Sequence, residues 1–404
     1  NVEDQANFLD IVRKTFVYIN TRAEQVNDAR RILLDDESIN RLCVQQIIET
    51  SHANDVMEPA TARDPNILPL LVFDWRGEMK NNKPLKQSSA LISTTELLGW
   101  MEHYLLGEDG DAEQERRLQI TSIPEDLETL ITEDDLSCII SHKDSQLLRE
   151  QFTKVLYPGI RYLLENLTPN KEFIKELRAM EERHNTRSDF AQHAFHKLRF
   201  GFHHAEESSK EDVNAAYIEI QKELQRKRKD QLPPVLEDAI GFRGVVSAFD
   251  HLKKHRDDIE NRTVGWEDYA KWFVKGMNQV IEDGWFKSVE KLDDSKKDLL
   301  THVIYDPTGN IKNYKFPDVE IGFGSLLALL VLKEITSDQG QRDVAWRELS
   351  KNLERPVLSG FKKHFKSKFR NKPLGLDDLN QLILRHAEAE AEKYLEKLED
   401  YLSG

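Results

Sequence analysis

The segment Gly360-Phe-Lys-Lys-His-Phe-Lys-Ser-Lys-Phe-Arg-Asn-Lys372 concentrates charge and aromatic rings in thirteen residues. Phe361, Phe365 and Phe369 recur every four positions, which places them on one face of a helix. Lys362, Lys363, Lys366, Lys368, Arg370 and Lys372 populate the rest of the surface. An anionic backbone is attracted to such a surface, with an affinity that falls steeply in salt. The same spacing equally describes a core-docked helix with a solvated basic face. Arg226-Lys-Arg-Lys229 is a second basic run, placed where a helix ends and cations suit the dipole.

Histidines form the next constellation. His184, His193, His196, His203 and His204 lie close together in sequence, and His193 and His196 share a helical face. With Asp189 the pair has the ligand types of a metal site, but no His-Glu-x-x-His is present, and a polar helix face explains the pattern as well. His251 and His255, four apart, pose the same alternatives. Arg178-x5-His184 and Arg187-x5-His193 are similar to the Arg/His pattern of HEPN-type ribonucleases. There, a histidine moves a proton while an arginine stabilises a pentavalent phosphate. No metal site is expected, and no cofactor is specified. Gly322-Phe-Gly324 lacks the third glycine of a dinucleotide loop, so a helix start packed tightly on a neighbour is expected there. Neither a P-loop nor a Gly-x-Ser-x-Gly elbow occurs.

The chain that carries these residues has 404 positions, with 57 Lys+Arg against 72 Asp+Glu and a formal charge of −15. That balance argues against a protein coating nucleic acid with its whole surface, while leaving room for a local basic site. A hydrophobic share of 39% is enough for a core. Cys43 and Cys138 are the two cysteines, which excludes a disulfide framework and a four-cysteine zinc site. The longest apolar run, Leu326–Leu332, is too short to span a bilayer. The opening Asn-Val-Glu-Asp has no basic start, so a cytoplasmic protein with material missing before Asn1 is expected.

The expected fold class is α+β and predominantly helical: a mixed domain over 1–115, a helical domain over 116–260, and a helical region over 261–404. In the first, Phe8, Ile11, Val12, Phe16 and Ile19 have helical spacing. Asp35 or Asp36 caps a second helix carrying Ile39, Leu42, Cys43, Gln46 and Ile47. Strands are expected at Ile67–Trp75 and Ser88–Ile92, then a helix from Thr94 or Thr95 to Leu106 and an acidic loop over Gly107–Glu115. Helices are expected over 143–166, 170–200, 210–230, 235–258 and Trp266–Val280, with a turn at Tyr305–Asn310. The terminal helix Asp377–Leu402 carries Leu379, Leu382, Ile383, His386, Leu395, Leu398 and Leu402 as a broken apolar stripe.

The N-terminal residues read Phe16-Val-Tyr-Ile-Asn20-Thr-Arg-Ala23, then Val26, then Arg30-Arg-Ile-Leu-Leu-Asp35-Asp36. This stretch resembles the segment that follows the signature motif in DGQHR-domain proteins. Those are relatives of the ParB/sulfiredoxin-like fold, and the group includes DndB-like proteins linked to DNA phosphorothioation. The likeness lies within residues 1–50, and the Asp-Gly-Gln-His-Arg signature itself would fall before Asn1. Trp266–Asn313 is loosely similar to the tail regions of the group. The resemblance implies an N-terminally incomplete ParB-like α/β domain in a bacterial DNA-modification or anti-phage (antiviral) defence protein. Such a protein binds DNA or a protein partner on DNA, and Asn20 and Arg30 would face a nucleotide or DNA phosphate. Physical chemistry offers a plainer account of those residues: Asn20 ends a helix, Asp35 and Asp36 cap the next, and Arg30 pairs with either. Two further readings stand beside it. One is a non-catalytic helical scaffold forming homo-oligomers through the terminal helix. The other is a nuclease using a site before Asn1 or the Arg/His helix, so enzymatic activity is left open.

Overall fold

Apolar residues at three- and four-residue spacing run through most of this chain, and the computed structural model is correspondingly built from helices. It describes residues 28–34, 38–57, 62–77, 79–80, 83–84, 89–107, 114, 117–119, 142–185, 190–201, 210–260, 263–305, 310–311, 317–370, 372 and 375–403. The expected helix over 8–19 and the turn residues Asp306–Gly309 lie outside them, as do most of the acidic loop, Asn20, Asp35, Asp36 and Cys138. Among the described residues no helix is long and apolar enough to cross a membrane. Contacts divide the chain into two units, Asn1–Leu232 and Pro233–Gly404. The Pro233-Pro234 pair marks the border, because proline cannot continue the preceding helix.

In the N-terminal unit, α1 (Asp28–Leu34) leads to α2 (Ile39–Asp55). The cap of α2 is Ser38, whose hydroxyl accepts from the amide of Arg41. The aspartates expected to cap it are displaced from that role, since Ser38 occupies the last extended position before the helix. Leu42, Cys43, Val44, Ile47 and Ile48 are buried; Gln45 is also buried, its amide donating to the carbonyl of Ile32.

The strand content is smaller than the apolar run at 67–75 suggests. Leu70–Val72 form a 3-10 turn, and only Phe73–Asp74 (β1) extend. β1 pairs in parallel with β4 (Ile92–Ser93), in the register Phe73 with Ile92 and Asp74 with Ser93. Between them β2 (Met79–Lys80) and β3 (Lys83–Pro84) make an antiparallel hairpin. Ser93 then starts α3 (Thr94–Trp100) with a capping box: its hydroxyl accepts from the amide of Glu96 while the Glu96 carboxylate accepts from the amide of Ser93. The helix widens to a π turn over Met101–Leu105.

Among the described residues this unit continues with α4 (His142–Val155), α5 (Tyr157–Asn166), α6 (Thr168–Asn185), α7 (Phe190–Phe200) and α8 (Lys210–Gln231). Their breaks fall where Tyr157-Pro158 and Thr168-Pro169 permit a helix start but not a continuation. On α8, Val213, Ile220 and Leu224 are buried, while most of the exposed positions are charged or polar and Ile218 is an exposed apolar residue.

Among its described residues the C-terminal unit is built from helices, with one isolated bridge from Tyr305 to Ile311. It comprises α9 (Pro234–Glu237), α10 (Ala239–Glu260), α11 (Trp266–Glu282), α12 (Asp294–Thr301), α13 (Pro317–Ile335), α14 (Gln339–Lys368) and α15 (Leu376–Ser403). Helix α13 is the centre: all of Leu326–Leu332 is buried, and α10, α11 and α14 pack around it. A helix apolar on every face has to be surrounded in this way.

Gly322-Phe-Gly324 lies within α13, past its first turn, and is not a phosphate loop. Gly324 abuts Ser247 and Ala248 of α10, and Gly244 of α10 abuts the Phe323 ring, so two missing β-carbons let the helices approach. On α11, Tyr269, Phe273 and Met277 all point inward, and the Tyr269 hydroxyl donates to the carbonyl of Phe249.

Candidate nucleic-acid interface

Helix α14 begins at Asp338, whose carboxylate accepts from the amides of Gly340 and Gln341. Its first half is anchored by Ala345, Leu349, Leu353 and Val357 against the unit's core. Pro356 interrupts the backbone ladder in mid-helix and packs over Gly322. The four-residue spacing then continues as Phe361, Phe365 and Phe369, all buried. Phe361 stacks on His302 at 3.8 Å between ring centroids. Phe365 and Phe369 stack on each other at 5.5 Å and both lie against His386 of α15. His386 is itself exposed, so it covers the rings from outside.

With the rings turned inward, Lys362, Lys363, Lys366, Lys368, Arg370 and Lys372 are all exposed. Lys368 and Lys372 fold over the Phe365 and Phe369 rings at 5.7 and 4.4 Å, which holds their ammonium groups near the surface. From Arg355 through Leu376 the chain contains seven Lys and Arg and no Asp or Glu. Among the described residues, Lys362, Lys366 and Arg370 make no ion pair with a carboxylate. Helix α15 brings one acid to the edge: the carboxyl of Glu390 is held below the usual range by Lys393, with His386 and Lys368 adding to the effect. The arrangement is a positively charged strip on a chain of formal charge −15, and a polyanion is attracted to such a surface.

Helix α15 buries Ile383, Ala387, Ala391, Tyr394, Leu398 and Leu402 within its own unit, and the Tyr394 hydroxyl donates to the carbonyl of Leu299 at 2.5 Å. Leu379, Leu382 and Leu395 are only half-buried and His386 is exposed, so the true inner stripe includes two alanines and a tyrosine that the leucine pattern does not reveal.

The other expected site residues are dispersed. Arg30 is exposed on α1, with Ala29 and Ile32 making the inward face. His184 is 6% exposed and stacks on Phe195, while Arg178 is drawn to Glu165 and the carbonyl of Pro65. His196 meets the Phe200 ring edge-on. Asp189, Arg187, His203 and His204 lie outside the described residues. His251 Nε2 sits 3.4 Å from the hydroxyl of buried Ser247, and burial holds its pKa below the ordinary value. His255 is buried. In the second basic run, Lys227 pairs with Glu176 at 2.8 Å. Among the described residues no group of three metal-ligating side chains forms.

One charged cluster has no counterpart in the sequence reading. Glu181 of α6 bridges Arg63 and Arg199, and Arg199 of α7 is 4% exposed. Asp55, at the end of α2, is 3% exposed and accepts from the amide of Leu70 at 3.0 Å. Burial pushes its pKa up to about 6, against the opposing pull of Arg199. Asp55 and Arg63 lie more than a hundred residues before Glu181 and Arg199, and no local pattern marks the four. Comparison with protein-family models, with curated proteins and with solved structures gives no match.

Proposed function

We propose that this chain is a nucleic-acid-binding protein that grips a phosphate backbone with the basic strip of α14 and the turn after it. The observation that carries the reading is the fixed strip itself: three phenylalanines anchor the helix while six cations between Lys362 and Lys372 stand exposed without an intervening carboxylate. Anchoring matters because cations held on a rigid helix lose less freedom on binding than the same residues on a loose tail. The choice of DNA, and a role in bacterial DNA modification or anti-phage defence, rest on the likeness of residues 16–36 to DGQHR-domain, ParB-like proteins. On that reading the N-terminal unit contributes a second contact through Asn20 and Arg30.

The test is a salt titration of duplex DNA binding by fluorescence anisotropy, comparing the wild type with Lys366→Glu plus Arg370→Glu. Both side chains are exposed, so the fold tolerates the change. Losing two phosphate contacts lowers the slope of log K against log salt by about 1.8. An unchanged affinity and slope would remove the strip from the reading. Anionic vesicles serve as the control, since preference for them over DNA would reassign the strip to a lipid surface.

A further inference from the structure

The last two turns of α14 are bare around most of their circumference. From Phe361 to Lys368 only Phe361 and Phe365 are buried, while Lys362, Lys363, His364, Lys366, Ser367 and Lys368 are exposed. Successive residues turn by about 100°, so these positions cover about two-thirds of the helix surface. Earlier turns of the same helix are embedded more deeply, through Ala345, Leu349, Leu353, Pro356 and Val357. The positions turned directly away from the two rings are Lys363 and Ser367, four residues apart and one above the other. Lys362 and Lys366 flank that ridge on one side, His364 and Lys368 on the other. The turn beyond adds Arg370 and Lys372, and the Glu390 carboxylate of α15 is taken up by Lys393 at 2.9 Å.

We infer that this helix end enters the major groove of duplex DNA and reads base edges there, beyond gripping phosphates. The inference rests on the proposed backbone-binding role of the strip and names the form of nucleic acid that it takes. An α-helix with its side chains is about 10–12 Å across, and the major groove of B-DNA is about 12 Å wide. Entry needs a helix exposed on its ridge and on both flanks, which is the exposure found over 362–368. That stretch rises about 10 Å, the span of about three base pairs. Lys363 then meets O6 and N7 of a guanine, and the Ser367 hydroxyl meets the edge of a neighbouring base. Lys362 and Lys366 face the phosphates along one wall of the groove, and Lys368 those along the other. The minor groove, about 6 Å wide, does not admit a helix. A single strand is held by stacking its bases on aromatic rings, and Phe361, Phe365 and Phe369 are buried. The major groove of A-form RNA is too narrow for side chains to read.

Selection of duplexes from a randomised library by the full chain tests it, followed by dimethyl sulfate interference on the selected site. Methylation of guanine N7 obstructs the major groove, and methylation of adenine N3 the minor groove. The expected result is a short preferred sequence containing a guanine, with interference at guanine N7. Lys363→Ala should lower the preference for that site over a scrambled duplex roughly five- to a hundredfold, the discrimination of one bidentate base contact. It should leave the salt slope on scrambled duplex unchanged, since the flanking lysines still meet the phosphates. Lys363→Arg should restore the preference, because both side chains pair with guanine. Position 363 is exposed, so both variants keep the fold. Duplex binding with neither sequence preference nor N7 interference, yet weakened by Lys366→Glu plus Arg370→Glu, would overturn the inference and keep the backbone grip. Interference confined to adenine N3, or a single strand or RNA duplex bound in preference, would overturn it in the same way. Binding to no nucleic acid at all would remove both readings.

Discussion

Replacing Asp55 by asparagine would separate the cost of burying a charge from the contacts that the side chain makes. In the folded protein, burial raises the Asp55 carboxyl from 3.8 to about 6, and Arg199 offsets only part of the rise. A difference of about two units corresponds to about 3 kcal/mol between the protonated and ionised forms. The sign follows from proton binding. Between about pH 4 and pH 6 the folded chain holds this proton while the unfolded chain has released it, so stability falls as pH rises through that window. The stabilisation is fully present below about pH 4 and absent above about pH 7. The substituted amide would keep an acceptor for the Leu70 backbone N–H but would not titrate. The stability of Asp55→Asn relative to wild type should therefore climb by about 3 kcal/mol from about pH 4 to pH 7.5. Urea titrations at a series of pH values, read by hydrogen exchange in peptides from α2 and α7, localise the effect to the unit that holds the network. A difference independent of pH would refute the argument, and one that grows toward acid would reverse it.

Two further substitutions probe the C-terminal unit. Gly324→Ala places a methyl group against Ser247 and the backbone of Ala248, so it should destabilise by about 1–3 kcal/mol, read as a lower urea midpoint. Tyr394→Phe removes the hydroxyl that donates to the carbonyl of Leu299 and leaves a buried acceptor unpaired. It should cost about 1–3 kcal/mol, and amide exchange in α12 and α15 should rise together; exchange unchanged in α12 would argue that the bond does not hold the two helices.

Much of the architecture was written in local periodicity. The helices over 142–231 and 239–282 follow apolar stripes that any helical wheel displays, and Pro158 and Pro169 mark two of their starts. The inward turn of Phe361, Phe365 and Phe369 follows from the same arithmetic, so the exposure of the six cations around them was legible too. Caps were harder. In the run Asp35-Asp36-Glu37-Ser38 three residues suit an N-cap, and only the backbone of the folded chain selects Ser38. The run Ile67–Trp75 reads as a strand, yet Pro69 and the packing of Leu70 and Val72 leave only two extended residues.

What the sequence determined by itself is the helical content, the anchored basic strip and the acidic balance of the whole, because each is set by neighbours within a few turns. Tertiary structure alone decided which polar side chains meet. Asp55, Arg63, Glu181 and Arg199 are brought together across more than a hundred residues, and Gly324 finds Ser247. Spacing along a chain fixes which face of a helix a residue occupies, but the identity of the opposing face depends on how the helices pack, which no single segment encodes.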